Sequence, residues 1–283
     1  MPTVAEQVTD AEMAGYARLI YNRTGIRISP QKKMLLSNRL RRRLRATGLP
    51  DFRSYLTHLR RLPQNHPEWD ALLQEITTHE TYLFRDEAQW RWFREHCLPE
   101  LEAAAQAGMR TRQLKIWSAA CSSGDEAYTI AACAAAGLDL AAWNVRILGT
   151  DIAAGSIEAA MRATFTERAM RLVPLKLRQQ FFREVQRGQL WQPRPVLTEL
   201  VRFQQHNLLQ PLWQKRFDVV FLKNVLIYFD AQSKRTALEH IRGALLPGGW
   251  IVCGAAEGVA DLLKDYERLC PWLFRKPGGP RHG

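Results

Sequence analysis

The sequence predicts an α/β protein with a mixed, mostly parallel sheet, preceded by an all-α N-terminal region. Short continuous apolar runs, typical of strands buried on both faces, alternate with helical patterns after residue 113. Before residue 86, apolar residues recur at helical spacing. We therefore expect an N-terminal helical domain over residues 1–85, a linker helix within 86–110, and an α/β domain over 111–283.

The predicted helical domain contains amphipathic helices separated by turn signals such as Thr24-Gly25 and Leu62-Pro63. In one helix, Leu36, Leu40 and Leu44 repeat every four residues and would form its buried stripe. The arginines between them are expected to project outward and to bind an acidic substrate: Arg39, Arg42 and Arg43. A solubilising surface is the alternative for this density of arginine.

The α/β domain begins with a strand, a tight turn and a helix. The strand covers Leu114 to Trp117, small residues follow up to Gly124, and a helix is predicted over Asp125 to Ala136. Small side chains at such a turn let backbone N–H groups approach a ligand closely. The next strand ends at Asp151, 27 residues after Gly124, near the interval at which nucleotide folds place their ribose-binding acid. Capping of the following helix is an equal alternative for this acid.

Two later strands extend this Rossmann-like pattern. Phe217 to Leu222 is a continuous apolar strand after a polar start at Asp218, and Lys223-Asn224 follow it at the edge where ligands bind. A Pro-Gly turn at Pro247-Gly248 precedes another buried strand, Ile251 to Cys253. The G-x-G-x-x-G pattern of dinucleotide enzymes is absent, whereas a Pro-Gly turn at this place is common in methyltransferases that use S-adenosylmethionine.

Between residues 151 and 207 the α/β rhythm is interrupted. The pattern there predicts short antiparallel strands at Phe181 to Val185, at Leu190-Trp191 and in the alternating stretch from Val196 to Phe203. A turn at Arg187-Gly188 would join the first two. We expect a small antiparallel β-subdomain inserted at about residues 180–204.

Five segments together resemble one family closely. They are residues 77–85 (TTHETYLFR), 117–128 (WSAACSSGDEAY), 150–152 (TDI), 207–209 (NLL) and 223–230 (KNVLIYFD). On these motifs the chain resembles, nearly end to end, the chemotaxis-receptor methyltransferases of the CheR type. That family methylates glutamate side chains on the cytoplasmic helices of bacterial chemoreceptors.

The resemblance implies S-adenosylmethionine as methyl donor, S-adenosylhomocysteine as product, and no metal. It implies cofactor contacts at His79, Thr81, Arg85, Glu126, Asp151, Asn207, Leu208, Asn224 and Val225. It places Arg85 and Tyr228 nearest the transferred methyl, as catalytic residues. Four positions depart from the family pattern: His79 replaces the usual Asn, Asp125 replaces Glu, Ala127 replaces Pro, and Lys223 replaces Arg.

The chemistry is consistent with the absence of a catalytic triad. A glutamate carboxylate is already ionised at neutral pH, so its attack on a sulfonium methyl requires alignment and exclusion of water but no general base. Arg85 would hold the planar carboxylate with its two-pronged guanidinium, and the Tyr228 hydroxyl would help to align it.

The formal net charge of +12 indicates attraction to an acidic partner. The resemblance implies that this partner is the set of cytoplasmic methylation helices of chemoreceptors, which the N-terminal domain would face. In some family members the β-subdomain also adds a receptor C-terminal peptide as an extra strand.

Two other functions remain open. An RNA methyltransferase would explain the charge, but the chain lacks both the Asp/Asn-Pro-Pro-aromatic motif and a Pro-Cys nucleophile, so no nucleic acid is expected. A non-catalytic adaptor would be expected to lose Arg85, Asp151 or Tyr228, and all three are present.

The remaining features are typical of an intracellular enzyme. The five cysteines are scattered without a C-x-x-C pair, and no apolar run approaches the length of a membrane span. The N-terminal residues show no signal-peptide pattern. We expect a cytoplasmic monomer with reduced thiols and no membrane insertion.

Overall fold

The large sheet is mixed and mostly parallel, as predicted. The computed structural model describes residues 7–77, 80–214 and 216–278. The sheet has the strand order β6-β2-β1-β7-β8-β10-β9. Its strands are β1 (Gln113–Ala119), β2 (Asn144–Asp151), β6 (Val201–Gln205), β7 (Phe217–Leu222), β8 (Leu245–Cys253), β9 (Glu267–Cys270) and β10 (Leu273–Arg275). The first five strands in this order pair in parallel, and β10 pairs antiparallel with β8 and β9.

Helices pack on both sides of this sheet and connect its strands. They are α7 (Asp125–Gly137), α8 (Ala154–Arg162), α9 (Glu167–Met170), α10 (Leu175–Phe181), α11 (Pro195–Thr198) and α12 (Ala231–Ala244). Because the five parallel strands run in one direction, their carboxyl ends meet at a single edge. Asp151 ends β2 there, and Lys223 directly follows β7.

The N-terminal region is helical and has its own apolar core. Its helices are α1 (Asp10–Thr24), α2 (Lys33–Thr47), α3 (Phe52–Arg61) and α4 (Pro67–Ile76). Tyr16, Leu40 and Tyr55 are fully buried among them. Gly25 and Gly48 adopt the left-handed conformation that ends α1 and α2, which explains the turn signals in the sequence.

Helical backbone continues from residue 87 to 106, where a linker helix was predicted. It comprises α5 (Glu87–Trp92), a π-helical turn (Phe93–Cys97) and α6 (Leu98–Gln106). The Trp90 ring stacks on Phe221 of β7, with 5.2 Å between ring centroids, and Phe93 meets the same ring edge-on. This segment is therefore part of the core that covers the sheet.

A small antiparallel sheet is present, but its predicted extent is wrong at one end. It consists of β3 (Phe165–Thr166), β4 (Phe182–Gln186) and β5 (Leu190–Pro193) in the order β3-β5-β4. The stretch from Val196 to Phe203 does not join it, because Pro195–Thr198 is helical and Val201–Gln205 pairs in parallel with β2. An edge strand of the large sheet has one face open to solvent, so its sequence alternates like that of a small antiparallel strand.

The prediction that Arg39 and Arg43 project outward is also wrong. The Arg43 guanidinium donates two hydrogen bonds to the Glu68 carboxylate of α4, at 3.0 and 2.7 Å. The Arg39 guanidinium donates to the backbone carbonyls of Ile76 and Thr77, where α4 ends. Both arginines flank the leucine stripe of α2, and α4 packs against that flank with complementary acceptors. Arg42 does project outward and pairs with Glu75 at 2.9 Å.

We predict that Arg43→Met lowers the free energy of unfolding by about 2–3 kcal/mol, because it strips a half-buried carboxylate of its charged donor. Arg42→Ala, which removes an exposed ion pair of the same helix, should change it by no more than about 0.5 kcal/mol. Urea unfolding followed by circular dichroism measures both. Equal losses for the two variants would contradict the assignment of Arg43 as a structural residue.

Candidate active site

A cavity of about 770 Å³ lies at the carboxyl edge of the large sheet, where the helical region closes over it. Residues from both regions line it: Thr24, Ile26, Ile76, Thr77, Ala120, Ser122, Asp151, Ile152, His206, Asn207, Leu208, Asn224, Val225, Tyr228 and Phe229. We call it the nucleoside cavity, because it holds the acid predicted to bind ribose.

Backbone contacts fix the helical region over this cavity. Ile26 and Phe229 form an antiparallel bridge, and the Arg27 N–H donates to the Tyr228 carbonyl at 2.8 Å. The Tyr21 hydroxyl donates to Asp230 at 2.8 Å. The segment after α1 is therefore built into the cavity wall.

The turn after β1 brings backbone close to the cavity. Ala120, Ser122 and Gly124 all have positive φ angles, of 61°, 50° and 88°. A Cβ atom on Gly124 would lie 2.9 Å from the Cβ of Ala160, so only glycine fits there without displacing α8. The tight turn that the small residues predicted is thus confirmed.

Asp151 holds two stretches of backbone beside the nucleoside cavity. Its carboxylate accepts hydrogen bonds from the backbone N–H groups of Ser122 at 2.9 Å and Ala153 at 3.0 Å. The second bond lies at the start of α8, and the first holds the turn after β1. A carboxylate offers about four acceptor positions, so ribose hydroxyls can bind the same group.

Asn207 and Leu208 form another wall of the nucleoside cavity. The Asn207 amide donates to the Arg23 carbonyl at 2.8 Å and accepts from the Leu209 N–H at 3.0 Å. The Asn207 side chain therefore holds backbone from two parts of the chain. A histidine nitrogen, Nδ1 of His240, contacts the Leu208 carbonyl at 3.0 Å.

Asn224 and Val225 continue from β7 into the cavity. Asn224 has a φ of 59°, and the Val225 N–H donates to the Glu257 carboxylate at 3.2 Å. Glu257 is buried, and burial raises the pKa of its carboxyl group although neighbouring backbone N–H groups lower it. Sequence reasoning missed Glu257, because it lies in the loop after β8 and outside the segments that carry the family resemblance.

A second, smaller cavity adjoins the first and shares Ala120, Ser122 and Asn224 with it. We call it the methyl-end cavity. Its other lining residues are Glu80, Thr81, Tyr82, Arg85, Trp90, Cys121, Glu126 and Lys223. The Arg85 guanidinium donates to the Glu80 carbonyl at 2.9 Å and lies 5.7 Å from the Tyr82 ring centroid.

Glu126 and Lys223 form an ion pair in the methyl-end cavity. The Lys223 ammonium lies 3.6 Å from Glu126 Oε2, and the Ser118 hydroxyl donates to Glu126 Oε1 at 2.7 Å. Burial raises the pKa of the Glu126 carboxyl, and the Lys223 ammonium opposes this shift. An acid held in this way is suited to receive an amino group of a ligand.

Tyr228 separates the nucleoside cavity from a third one of about 430 Å³, which we call the basic cavity. Arg27, Lys32 and Arg39 line the basic cavity together with apolar side chains. The Lys32 ammonium lies 5.4 Å from the Tyr228 ring centroid. Tyr228 thus lies between an uncharged part of the nucleoside cavity wall and a group of cationic side chains.

The structure brings most of the predicted site residues together. Asp151, Asn207, Leu208, Asn224, Val225 and Tyr228 line the nucleoside cavity, and Thr81, Arg85, Glu126 and Asn224 line the methyl-end cavity. His79 lies outside the described residues. Arg42 and Arg43 line neither cavity, and Arg39 reaches only the basic cavity. Sequence reasoning missed that Thr24 and Ile26 line the nucleoside cavity, because the Thr24-Gly25 pair indicates only the end of a helix.

Two family models match the chain. One, described as "CheR methyltransferase, SAM binding domain", matches residues 79–271, and the other, "CheR methyltransferase, all-alpha domain", matches residues 11–77. The chain belongs to the CheR methyltransferase family. Its fold is accordingly an all-α N-terminal domain followed by a Rossmann-like S-adenosylmethionine methyltransferase domain.

Curated relatives within the CheR family match over most of their length. A "Chemotaxis protein methyltransferase" of Salmonella typhimurium is 33% identical over 92% of this chain and 88% of its own. Proteins of the same name from Escherichia coli and Borreliella burgdorferi are 32% and 28% identical, over 92% and 95% of this chain and 88% and 95% of theirs.

The lining residues fit S-adenosylmethionine. Asp151 offers acceptors for ribose hydroxyls, Ile26, Val225 and Phe229 offer apolar contact for an adenine ring, and Glu126 offers an anion for the amino group of the methionine part. In the described ranges, no group of His, Cys, Asp and Glu side chains could hold a metal ion. None of the helices described there is both long and apolar enough to cross a membrane.

We predict that Asp151→Ala weakens binding of S-adenosylhomocysteine about 100-fold. Two hydrogen bonds to a charged acceptor would be lost, each contributing about 1.5–3 kcal/mol. Isothermal titration calorimetry measures the dissociation constant. Asp139→Ala is the matched control, since Asp139 also accepts the N–H two residues ahead, at 3.0 Å, but lies outside all three cavities. Unchanged affinity of Asp151→Ala would leave the acid with a structural role alone.

Proposed function

We propose that this protein transfers the methyl group of S-adenosylmethionine to glutamate side chains of bacterial chemoreceptors, forming methyl esters. One observation carries the proposal: Tyr228 lines both the nucleoside cavity and the basic cavity, whose lining includes Arg27, Lys32 and Arg39. An acceptor carboxylate can therefore reach the cofactor through a positively charged entrance. The names of the curated relatives support chemoreceptors as the acceptors.

The reaction requires the protein to align groups rather than to move protons. When bound, S-adenosylmethionine would supply an electrophilic methyl group, whose bond to sulfur breaks as the carboxylate oxygen bonds to carbon. The acceptor is ionised at neutral pH, so no side chain has to remove a proton. Arg85 would hold the carboxylate from the methyl-end cavity, and Tyr228 would contact it from the basic cavity.

The acceptor surface around the basic cavity is both cationic and apolar. Arg27, Lys32 and Arg42 are exposed there or on the adjoining helix α2. Met34 and Leu35 are also exposed, at 49% and 45% of their surface. An amphipathic acceptor helix with acidic side chains would complement such a surface. Arg39 would add to its charge from within the basic cavity, whereas Arg43 would act only through the fold of the helical region.

Three expectations about partners and state remain predictions. In the small sheet, β4 is an edge strand, which suits the addition of a receptor C-terminal peptide. A cytoplasmic location and a monomeric state are the other two expectations. An RNA methyltransferase and a non-catalytic adaptor are the competing functions.

One incubation separates these functions. The protein is mixed with S-adenosylmethionine labelled in its methyl group and with either chemoreceptor-containing membranes or total RNA, and the products are treated with mild alkali. We expect label on receptor protein that alkali releases, as a carboxyl methyl ester requires. Label on RNA would favour the competing enzyme, and no label on either acceptor would favour the adaptor.

In the same assay, Arg85→Ala should lower kcat by about 100-fold or more, since the carboxylate loses its orienting donor. Arg91→Ala is the control, because Arg91 is an exposed arginine of α5 that pairs with the exposed Glu87. Near-normal turnover by Arg85→Ala would overturn the assigned role.

Charge reversal at Lys32 and Arg42 should reduce kcat/KM about 10-fold or more at low salt and leave kcat unchanged, because steering acts on encounter. The effect should shrink as the ionic strength rises. Lys264→Glu, an exposed lysine beside Asp261, reverses a charge outside the acceptor surface. An equal loss for Lys264→Glu would mean that net charge, rather than this surface, attracts the receptor.

A further inference from the structure

Lys223 is a buried cation at the inner end of the methyl-end cavity. It directly follows β7, and its side chain is only 4% exposed. Its ammonium lies 3.1 Å from the Arg85 carbonyl, 3.2 Å from the Asp86 carboxylate and 3.6 Å from Glu126. It also lies 4.8 Å from the Trp90 ring centroid. Three acceptors from two separate parts of the chain therefore meet at one amine.

The segment that carries Arg85 has an uncommon backbone conformation. Phe84 and Asp86 have φ angles of 58° and 66°, a region that residues other than glycine seldom occupy. Such a conformation persists only where surrounding contacts hold it. We call residues 84–86 the Arg85 turn.

Contacts hold the Arg85 turn at both of its ends. The Phe84 N–H donates to the Thr129 hydroxyl at 3.1 Å. The Arg85 carbonyl accepts from the Trp90 indole at 2.6 Å and from Lys223. Since Lys223 is rooted at the end of a central strand, its ammonium links the turn directly to the sheet edge that forms the nucleoside cavity.

Neutralisation of Glu126 does not account for this arrangement. The Lys223 ammonium lies closer to the Arg85 carbonyl and to Asp86 than to the Glu126 carboxylate. A carbonyl carries no net charge to neutralise. The contact of the Lys223 ammonium with the Arg85 carbonyl therefore fixes the position of the backbone at Arg85. An ammonium has three donors and can serve all three acceptors at once.

We propose that Lys223 is a positioning residue for methyl transfer, whose ammonium fixes the Arg85 turn to the end of β7 so that Arg85 meets the acceptor carboxylate. This inference rests on the proposed function, because it acts through Arg85. Loss of the ammonium would let the turn relax and displace the guanidinium. A displacement of about 1 Å in a positioned group can cost about 100-fold in rate.

The test compares Lys223→Met, Lys223→Arg and the wild type with saturating S-adenosylmethionine and receptor membranes. We expect Lys223→Met to lower kcat about 100-fold, a loss that saturating S-adenosylmethionine does not relieve. Lys223→Arg, which retains a charged donor, should retain most of the activity. Combined with Arg85→Lys, Lys223→Met should add little further loss, because both changes disturb the same group.

The control is Lys276→Met. The Lys276 ammonium also binds two backbone carbonyls, those of Arg242 at 2.7 Å and Leu245 at 2.8 Å, but it lies outside the three cavities. The Lys276→Met variant should leave kcat unchanged. The proposal would be overturned by an equal loss of kcat in the control, or by a normal kcat in Lys223→Met. It would also be overturned if Lys223→Met lowered only the affinity for the cofactor, or if the losses of the two single variants multiplied in the double variant.

Hydrogen exchange separates this inference from the proposed function. In Lys223→Met, amides in residues 80–92 should exchange faster than in the wild type, while those in residues 231–253 should not. If the wild type modifies no receptor, the proposed function fails, and unchanged exchange in residues 80–92 would independently refute the hold of Lys223 on the turn.

Discussion

The bridge between Ile26 and Phe229 is the contact on which the active site depends. The sheet edge alone supplies one side of a cavity, and the segment after α1 supplies the other. The same bridge places Arg27 and Lys32 beside Tyr228, so closure of the cofactor site and assembly of the cationic entrance are one structural event. A few backbone contacts thus both close the site, which must exclude water, and assemble the cationic side chains beside it.

The charges of the protein are divided between two tasks. Arg43 and Lys223 lie within the fold, each with carboxylates as partners, and each joins elements that are distant in sequence. Arg27, Lys32 and Arg42 remain at the surface. The net charge of +12 therefore overstates the charge that a partner meets on α2, because part of the arginine run is used internally.

The large sheet could be predicted from the sequence because parallel strands that are buried on both faces consist of consecutive apolar residues. Phe217 to Leu222 is one such run, and its boundaries match β7. Asp151 could be placed at the carboxyl edge because it ends a recognisable strand, whereas Glu126 was implied by the family resemblance alone. The pattern from Val196 to Phe203 misled because an edge strand alternates in either kind of sheet. The half-buried arginines of α2 and the position of Ile26 in the cavity wall could not be predicted. Both depend on which element of the fold packs opposite them, and the sequence around a residue does not contain that information.

Methyl transfer to a carboxylate places unusual weight on backbone geometry. The nucleophile is ionised before it binds, so no acid or base in the site has to be tuned to the working pH. What remains is the relative position of an acceptor oxygen and a methyl carbon, and a side chain as long as arginine holds a position only as well as its own backbone does. The left-handed residues on either side of Arg85, and the carbonyl held by both Trp90 and Lys223, are consistent with this demand. Here a buried ammonium binds the main chain on which Arg85 lies, which is where the proposed reaction would need a fixed position.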